Sequence, residues 1–258
     1  MQATGKIELR KLDLQPLVRV EKLNVVLGGN SILKDIDFAL YPGQIHAITG
    51  ENGAGKSTLA KVIAGIYQPN SGEVFLEEKS VVIRSPGEAI RLGIALIHQE
   101  PLIFPDLNVA ENVFVGRLPK KAKMADHREA IRRTSEILRR LGVGIDAESE
   151  VGNLSIAQQQ MVELATAMSE DANVWIFDET TASLTSKEVG ELFVIIRALK
   201  DQGCAIAMVT HHLNEVFEIA DRYRTCCRRP EKTVLNEFNM SVDRESNFFS
   251  NTQLARLD

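Results

Sequence analysis

Cysteine is scarce: the 258 residues hold three, Cys204, Cys226 and Cys227. An odd number cannot form a closed set of disulfides, and two of the three are adjacent. A disulfide-stapled secreted scaffold is therefore excluded, and a reduced compartment is expected. Basic charge is also in deficit, with 30 Lys and Arg against 35 Asp and Glu and a formal net charge of -5. A dedicated nucleic-acid binder displaces counterions with a basic surface, so no nucleic-acid partner is expected. No uncharged apolar run approaches the ~18 residues that a membrane-spanning helix needs. The first twenty residues carry acids and lack a continuous apolar segment, so no secretory leader is expected there. Short repeats and low-complexity tracts are absent too. What is present is an ordinary globular balance, 44% hydrophobic and 25% charged. A chain of this length makes one large domain or two small ones and can bury a core without staples.

Apolar runs alternate with helical patterns, which predicts an α/β fold. Strands are expected at Val18–Val26, Ile36–Leu40, Gln44–Thr49, Glu73–Leu76, Val81–Ile83 and Ile94–His98. A helix is expected from Lys56 to about Tyr67, stopped by Pro69 and the Asn70-Ser71-Gly72 turn. From Arg117 to Arg140 there are nine Lys and Arg against three Asp and Glu. Ile131, Leu138 and Leu141 recur there at helical spacing, with Glu129/Arg133 and Glu136/Arg140 as i,i+4 pairs, so this is read as an amphipathic helix with a solvated outer face. Residues 101–168 form a helical insertion in the α/β core. The core resumes with a strand at Val174–Phe177, a helix at Ser186–Lys200, a strand at Ala205–Val209 and a short helix at Leu213–Ala220. Beyond Arg222 no period is visible. One unit is taken as 1–222, and 223–258 as an atypical tail to which no structure is assigned.

Residues 50–58 read Gly50-Glu51-Asn52-Gly53-Ala54-Gly55-Lys56-Ser57-Thr58. The first eight match G-x-x-x-x-G-K-[ST], the phosphate-binding P-loop. Backbone N–H groups must converge on phosphate oxygens, and glycine supplies the dihedrals and the close approach. A helix opening at Lys56 points the positive end of its dipole at the anion. The Lys56 ammonium adds a charge on the outer phosphates, and the Ser57 hydroxyl is placed to ligate Mg²⁺. The pattern sits between an expected strand and an expected helix, the context that the chemistry requires, so a nucleotide is the expected ligand.

A second acidic pair closes the expected strand Val174–Phe177. Asp178 and Glu179 stand at its C-terminal edge, where ligands sit in open α/β sheets. Asp178 is assigned to the metal and Glu179 to polarising the attacking water.

Three further segments carry a family resemblance. Leu154-Ser155-Ile156-Ala157-Gln158, about 20 residues before the acidic pair, resembles the LSGGQ signature of ATP-binding cassette (ABC) ATPases. Gln99 in Ile97-His98-Gln99-Glu100 is similar to the family's Q-loop glutamine, and His211 in Val209-Thr210-His211-His212 to its switch histidine. The stretches GENGAGKST, HQEP, NVAENV and LSIAQQQMVELATAM are similar to the importers of ribose, xylose, galactose and arabinose, whose ATPases usually carry two cassettes in one chain. The signature resembles that of the first cassette. The resemblance implies a P-loop NTPase core with a mixed sheet, an N-terminal antiparallel β region and an inserted helical subdomain. It implies Glu179, His211 and Gln99 as catalytic residues, and Ser57, Gln99 and Asp178 as the Mg²⁺ set. It also implies a partner cassette whose signature meets this chain's P-loop, membrane permease subunits, and indirectly a periplasmic sugar-binding protein. The chain is then expected on the cytoplasmic face of the inner membrane as a peripheral subunit. Leu102, Ile103, Phe104 and Leu107, just past Gln99, are expected to face the permease.

This sequence departs from the family at several points. Ile156 and Ala157 stand for the two signature glycines, and Thr180 for the proline after the catalytic glutamate, which removes a φ restraint and predicts a looser loop. Thr185 stands for the usual aspartate, and Leu27 where an aromatic usually stacks on adenine. The tail lacks the family's closing strand and turn, which predicts an exposed sheet edge. Two other classes stay open: a soluble ABC ATPase without membrane partners, and a catalytically weak, nucleotide-sensing module.

Overall fold

Val174–Phe177 has no polar position to turn toward water, so it must be covered on both faces. The computed structural model shows how. It describes residues 15–122, 124–228 and 233–239, with side chains outside 227–228 and 233–239. In chain order the elements are β1 (Val18–Leu27), β2 (Asn30–Leu40), β3 (Gln44–Gly50), α1 (Lys56–Ile63), β4 (Ser71–Leu76), β5 (Lys79–Val81), α2 (Pro86–Arg91) and β6 (Ile94–Ile97). There follow α3 (Val109–Val113), β7 (Lys120–Lys121), β8 (Met124–Ala125), α4 (His127–Leu141), α5 (Ile156–Met168), β9 (Val174–Asp178) and α6 (Ser186–Asp201). The last are β10 (Ala205–Val209), α7 (Leu213–Ile219), β11 (Arg222–Arg228) and β12 (Thr233–Asn239).

One sheet has the order β12-β11-β3-β10-β9-β6; all its pairs are parallel except β11 with β12. Strand side chains alternate between faces, and β9 shows the consequence. Val174 and Ile176 pack with α1 residues Leu59, Ala60, Val62 and Ile63 and with β1 and β2. Trp175 and Phe177 point the other way, into the cluster built by α3, α4, α5 and α6. A second sheet, antiparallel in the order β2-β1-β4-β5, closes over α1. The mixed sheet, the antiparallel N-terminal region and the helical insertion agree with the expected architecture.

Four local readings are corrected. The helix from Lys56 ends at Ile63, not near Tyr67, because Gly65 turns the chain at φ +71 and a Cβ there would lie 2.7 Å from Ile83 Cγ2 and Ser85 O. The strand expected at Val81–Ile83 is Lys79–Val81, because Glu77 and Glu78 both take positive φ (48 and 62) in a two-residue hairpin turn that sets Leu76 opposite Lys79. Helix α2 was not expected, although Ser85 caps it by accepting from the Glu88 amide and Pro86 opens it. The largest correction is beyond Arg222. Strand β11 pairs with β3 from Arg222 opposite His46 to Cys226 opposite Gly50, and β12 pairs with β11, so the edge of β3 is covered. Residues 240–258 of the expected tail lie outside the described residues.

That register sets His46 among arginines. The His46 ring is fully buried on β3, stacks on Tyr41 at 5.8 Å, and has no hydrogen-bond partner at either nitrogen among the described residues. Burial first, then the Arg224 and Arg222 charges, lower its pKa from 6.5 to about 3. The folded chain therefore holds His46 neutral. Above the unfolded value near 6.5 this is free; as pH falls from there toward 3, only the unfolded chain takes up the proton, and stability is lost. By pH 5 the loss amounts to about 2 kcal/mol at ~1.4 kcal/mol per pH unit. Urea unfolding at pH 7 and pH 5 should show this loss in the native chain and not in His46→Leu. Equal losses in the two chains would remove His46 from the account.

Candidate nucleotide site

All parallel strands of the larger sheet deliver their C-terminal ends to one edge. There β3 runs into residues 50–58, β9 into Asp178-Glu179, β10 into Thr210-His211, and β6 into His98-Gln99.

The loop 50–58 is shaped by three glycines with positive φ: Gly50 (+140), Gly53 (+80) and Gly55 (+98). At Gly50 a Cβ would lie 2.2 Å from the Cys226 carbonyl oxygen; at Gly55 it would lie 2.5 Å from Leu33 Cδ2. No side chain fits at either place without moving backbone or core. Cys226 Sγ donates to the Ala54 carbonyl at 2.8 Å, so the unexpected strand β11 touches the loop at its start and in its middle. Gly55 caps α1 in the left-handed conformation. Glu51, Asn52 and Gly53 are exposed, Ala54 and Gly55 buried, and Ser57 and Thr58 half-buried. The Lys56 side chain folds back and donates to the Gly50 and Glu51 carbonyls at 2.9 and 3.0 Å.

Ser57 and Asp178, 121 positions apart, meet: Ser57 Oγ lies 2.7 Å from Asp178 Oδ1, and Asp178 is buried. A hard divalent cation takes oxygen ligands, and in phosphate sites one or two protein oxygens suffice beside the phosphates. This hydroxyl–carboxylate pair at the mouth of the loop therefore fits Mg²⁺. Glu179 takes a positive φ of 53 and donates its amide to the Val209 carbonyl at 3.0 Å. Its Oε1 lies 3.8 Å from His211 Nδ1. His211 and His212 are exposed, with ring centroids 4.0 Å apart. Gln99 is exposed. It follows β6 by two residues, as Glu179 follows Phe177, and Ile97 pairs with Phe177.

The signature segment is not brought to this edge. Ser155 caps α5 in a capping box, accepting from the Gln158 amide while Gln158 Oε1 accepts from the Ser155 amide. Ser155, Ala157 and Gln158 line a cleft of about 760 Å³ with Thr185 and the first turns of α6. Ile156 is 51% exposed, and Leu154 is half-buried. Among the described residues no hydrogen bond joins 154–158 to 50–58.

The loop after Glu179 is tied down in spite of Thr180. Gln160 of α5 donates to the Thr180 carbonyl at 2.9 Å, and Thr181 donates to Glu215 at 3.0 Å. Glu215 Oε2 also accepts from Thr210 at 2.7 Å, and Thr210 Oγ1 accepts from the His212 amide. The expected looseness is thus replaced by side-chain restraint. Gln160 and Glu215 escaped sequence reasoning, since a glutamine and a glutamate at helical spacing carry no signal until their distant partners are known. Met161, Leu164, Ala165 and Met168 recur at helical spacing as a core face would; the first three are buried and Met168 is half-buried at its end.

The family model described as ABC transporter matches residues 33–182. A ribose import ATP-binding protein of Streptomyces avermitilis is 44% identical over 211 residues, covering 81% of this chain and 42% of that protein. A putative ribose/galactose/methyl galactoside import ATP-binding protein of Pseudomonas savastanoi pv. phaseolicola is 48% identical over 212 residues, covering 81% of this chain and 40% of that protein. The chain thus spans about two-fifths of the length of these relatives. Among solved structures, the ADP conformation of an ATP-binding cassette of an ABC transporter superposes with a TM-score of 0.79 at 22% identity, over 94% of this chain and 99% of that one. A nucleotide-free cassette gives 0.75 at 23% identity, over 87% and 92%. At these identities the structures speak for the fold.

Proposed function

Because this chain belongs to the ABC transporter family, we propose that it binds ATP on the loop 50–58 and hydrolyses it to drive import of a sugar. The Ser57–Asp178 contact carries the catalytic part of this reading. It joins the phosphate loop to the acidic strand end at the one edge where Lys56, Glu179 and His211 also gather. The names of the relatives support a sugar as cargo.

Each residue has a definite task. Lys56 exchanges its two loop carbonyls for outer phosphate oxygens, to which it brings a charge-assisted contact. The loop amides and the N-terminus of α1 hold the remaining phosphate charge. Ser57, Asp178 and Gln99 would hold Mg²⁺, which when bound neutralises charge on the phosphates. Glu179 accepts a proton from the attacking water, and His211 beside it helps to hold that water and the phosphate oxygen. Positive φ at Glu179 turns its carboxylate off the strand toward this edge.

The half of the site missing here is the signature. Ser155 and the helix N-terminus behind it are placed to meet phosphate bound by a second cassette, which stabilises charge by the same dipole as α1. The partner is a second copy or a second cassette of the same polypeptide. Leu102 and Phe104, 69% and 54% exposed beside Gln99, form the face offered to permease subunits at the cytoplasmic side of the membrane, whereas Ile103 packs on the helical cluster and Leu107 is half-buried, so these two leave the expected set. Among the described residues no helix is long and apolar enough to cross a membrane. A sugar-binding protein acts through that permease.

Sharing has a kinetic consequence. Specific ATPase activity should rise with protein concentration, because two chains complete each site. Steady-state phosphate release over a hundredfold dilution series measures it. A specific activity that stays flat in a chain shown to be monomeric contradicts the shared site.

A further inference from the structure

Helix α5 is capped by Ser155, and its buried face carries two polar side chains three residues apart, hence on one side of the helix. Gln160, 1% exposed, donates to the Thr180 carbonyl in the loop after β9. Glu163, 9% exposed, reaches the loop after β6. Its Oε1 lies 2.9 Å from His98 Nδ1 and accepts from the His98 amide at 3.4 Å. Glu163 Oε2 has no hydrogen-bond partner among the described residues. Burial pushes the Glu163 carboxyl pKa up, and the His98 contacts and the Leu102 amide pull the other way.

A carboxyl in this place is poor design for stability alone. Desolvation costs several kcal/mol, and an apolar side chain of similar volume often does as well or better. The same stretch of helix buries Val162, Leu164 and Ala165 at 1% exposure or less. What the carboxyl does achieve is registration. The residue it grips, His98, directly precedes Gln99, and the residue that Gln160 grips, Thr180, directly follows Glu179. We propose that Glu163 and Gln160 are a positioning pair that sets Gln99 and Glu179 against the helix bearing the signature. One helix then carries three parts of the site in fixed relation, Ser155 at its tip and the two loops on its flank. A displacement of α5 moves both loops with it. The pair acts through Gln99 and Glu179, so the inference rests on the ATPase reading above.

Positioning shows in turnover rather than in binding. A misplacement of about 1 Å can cost as much as ~10²-fold in rate, while loop 50–58 and Lys56 are untouched by Glu163. In the full chain, Glu163→Leu should lower kcat for ATP by about tenfold or more and leave the KM for ATP within about twofold. Glu163→Gln keeps the Oε1 acceptor and should restore most of the turnover. His98→Ala removes the imidazole contact and keeps the amide one, so it serves if the leucine variant does not fold, and should lower kcat in the same direction by a smaller factor. Amide exchange across 98–102 should quicken in Glu163→Leu and not in Glu163→Gln. The proposal is overturned if the leucine variant keeps native turnover, if the glutamine variant loses as much as the leucine one, or if 98–102 exchanges alike in all chains. A native chain that shows no ATP hydrolysis dependent on Lys56 instead overturns the ATPase reading, and the exchange data still decide whether Glu163 holds the loop.

Discussion

Glu179→Gln should bind ATP as the native chain does and hydrolyse it ~10²–10⁴-fold more slowly, the usual worth of general-base assistance. Glutamine keeps the size of the side chain and one acceptor, but it cannot take a proton from water. Binding survives because Lys56, the loop amides and the Ser57–Asp178 pair stand apart from this carboxylate. The local backbone should survive as well, since the Glu179 amide still bonds to Val209 and Thr180 is still held by Gln160. Phosphate release in single-turnover conditions, beside equilibrium binding of ATP, reads both halves. If Asp178→Asn gives the slow, ATP-holding chain while Glu179→Gln turns over normally, the roles of the two carboxylates are reversed. If neither change affects turnover, the chain is a nucleotide-sensing module and not the ATPase described.

Lys56→Ala should weaken ATP binding by about 10- to 150-fold, from a charge-assisted contact worth ~1.5–3 kcal/mol. Lys56 is 5% exposed and its ammonium is already held by two loop carbonyls, so it is oriented before phosphate arrives. Alanine removes the charge and those two bonds together. Because loss of the bonds can also loosen the loop, the thermal midpoint should be followed beside calorimetric titration with ATP. Unchanged affinity in a stable Lys56→Ala chain would exclude the phosphate cradle at 50–58.

The phosphate loop and the acidic strand end could be read directly from the sequence because their chemistry demands particular residue types at fixed spacing. Glycines at 50, 53 and 55 and the apolar run ending at Asp178 leave few other readings. The elements that escaped depend on partners remote in the chain. Strand β11 has arginines at 222, 224 and 228 and shows no apolar alternation. Its Arg224 is buried because the guanidinium lies 5.0 Å from the Phe38 ring and donates to the Asp37 carbonyl. Helix α2 did carry a signal, Ser85-Pro86 followed by Glu88, but six residues are too few for a period to show. Thr180 predicted a loose loop because the absence of proline is visible in the sequence, whereas the hydrogen bond from Gln160 that replaces it is not. Glu163 reads as an ordinary helix residue until β6 brings His98 against it.

The account turns on two cassettes sharing one nucleotide, since the signature at 154–158 and the loop at 50–58 do not meet within this chain. The Glu179→Gln chain tests this most directly, because it holds ATP without consuming it. Its mass in solution should be measured by light scattering after size exclusion, with Mg-ATP and without. Mg-ATP should convert it from monomer to dimer, and Ser155→Arg in the same chain should abolish the dimer while ATP remains bound. A chain that stays monomeric with one ATP bound, at concentrations where the native chain is active, contradicts the shared site.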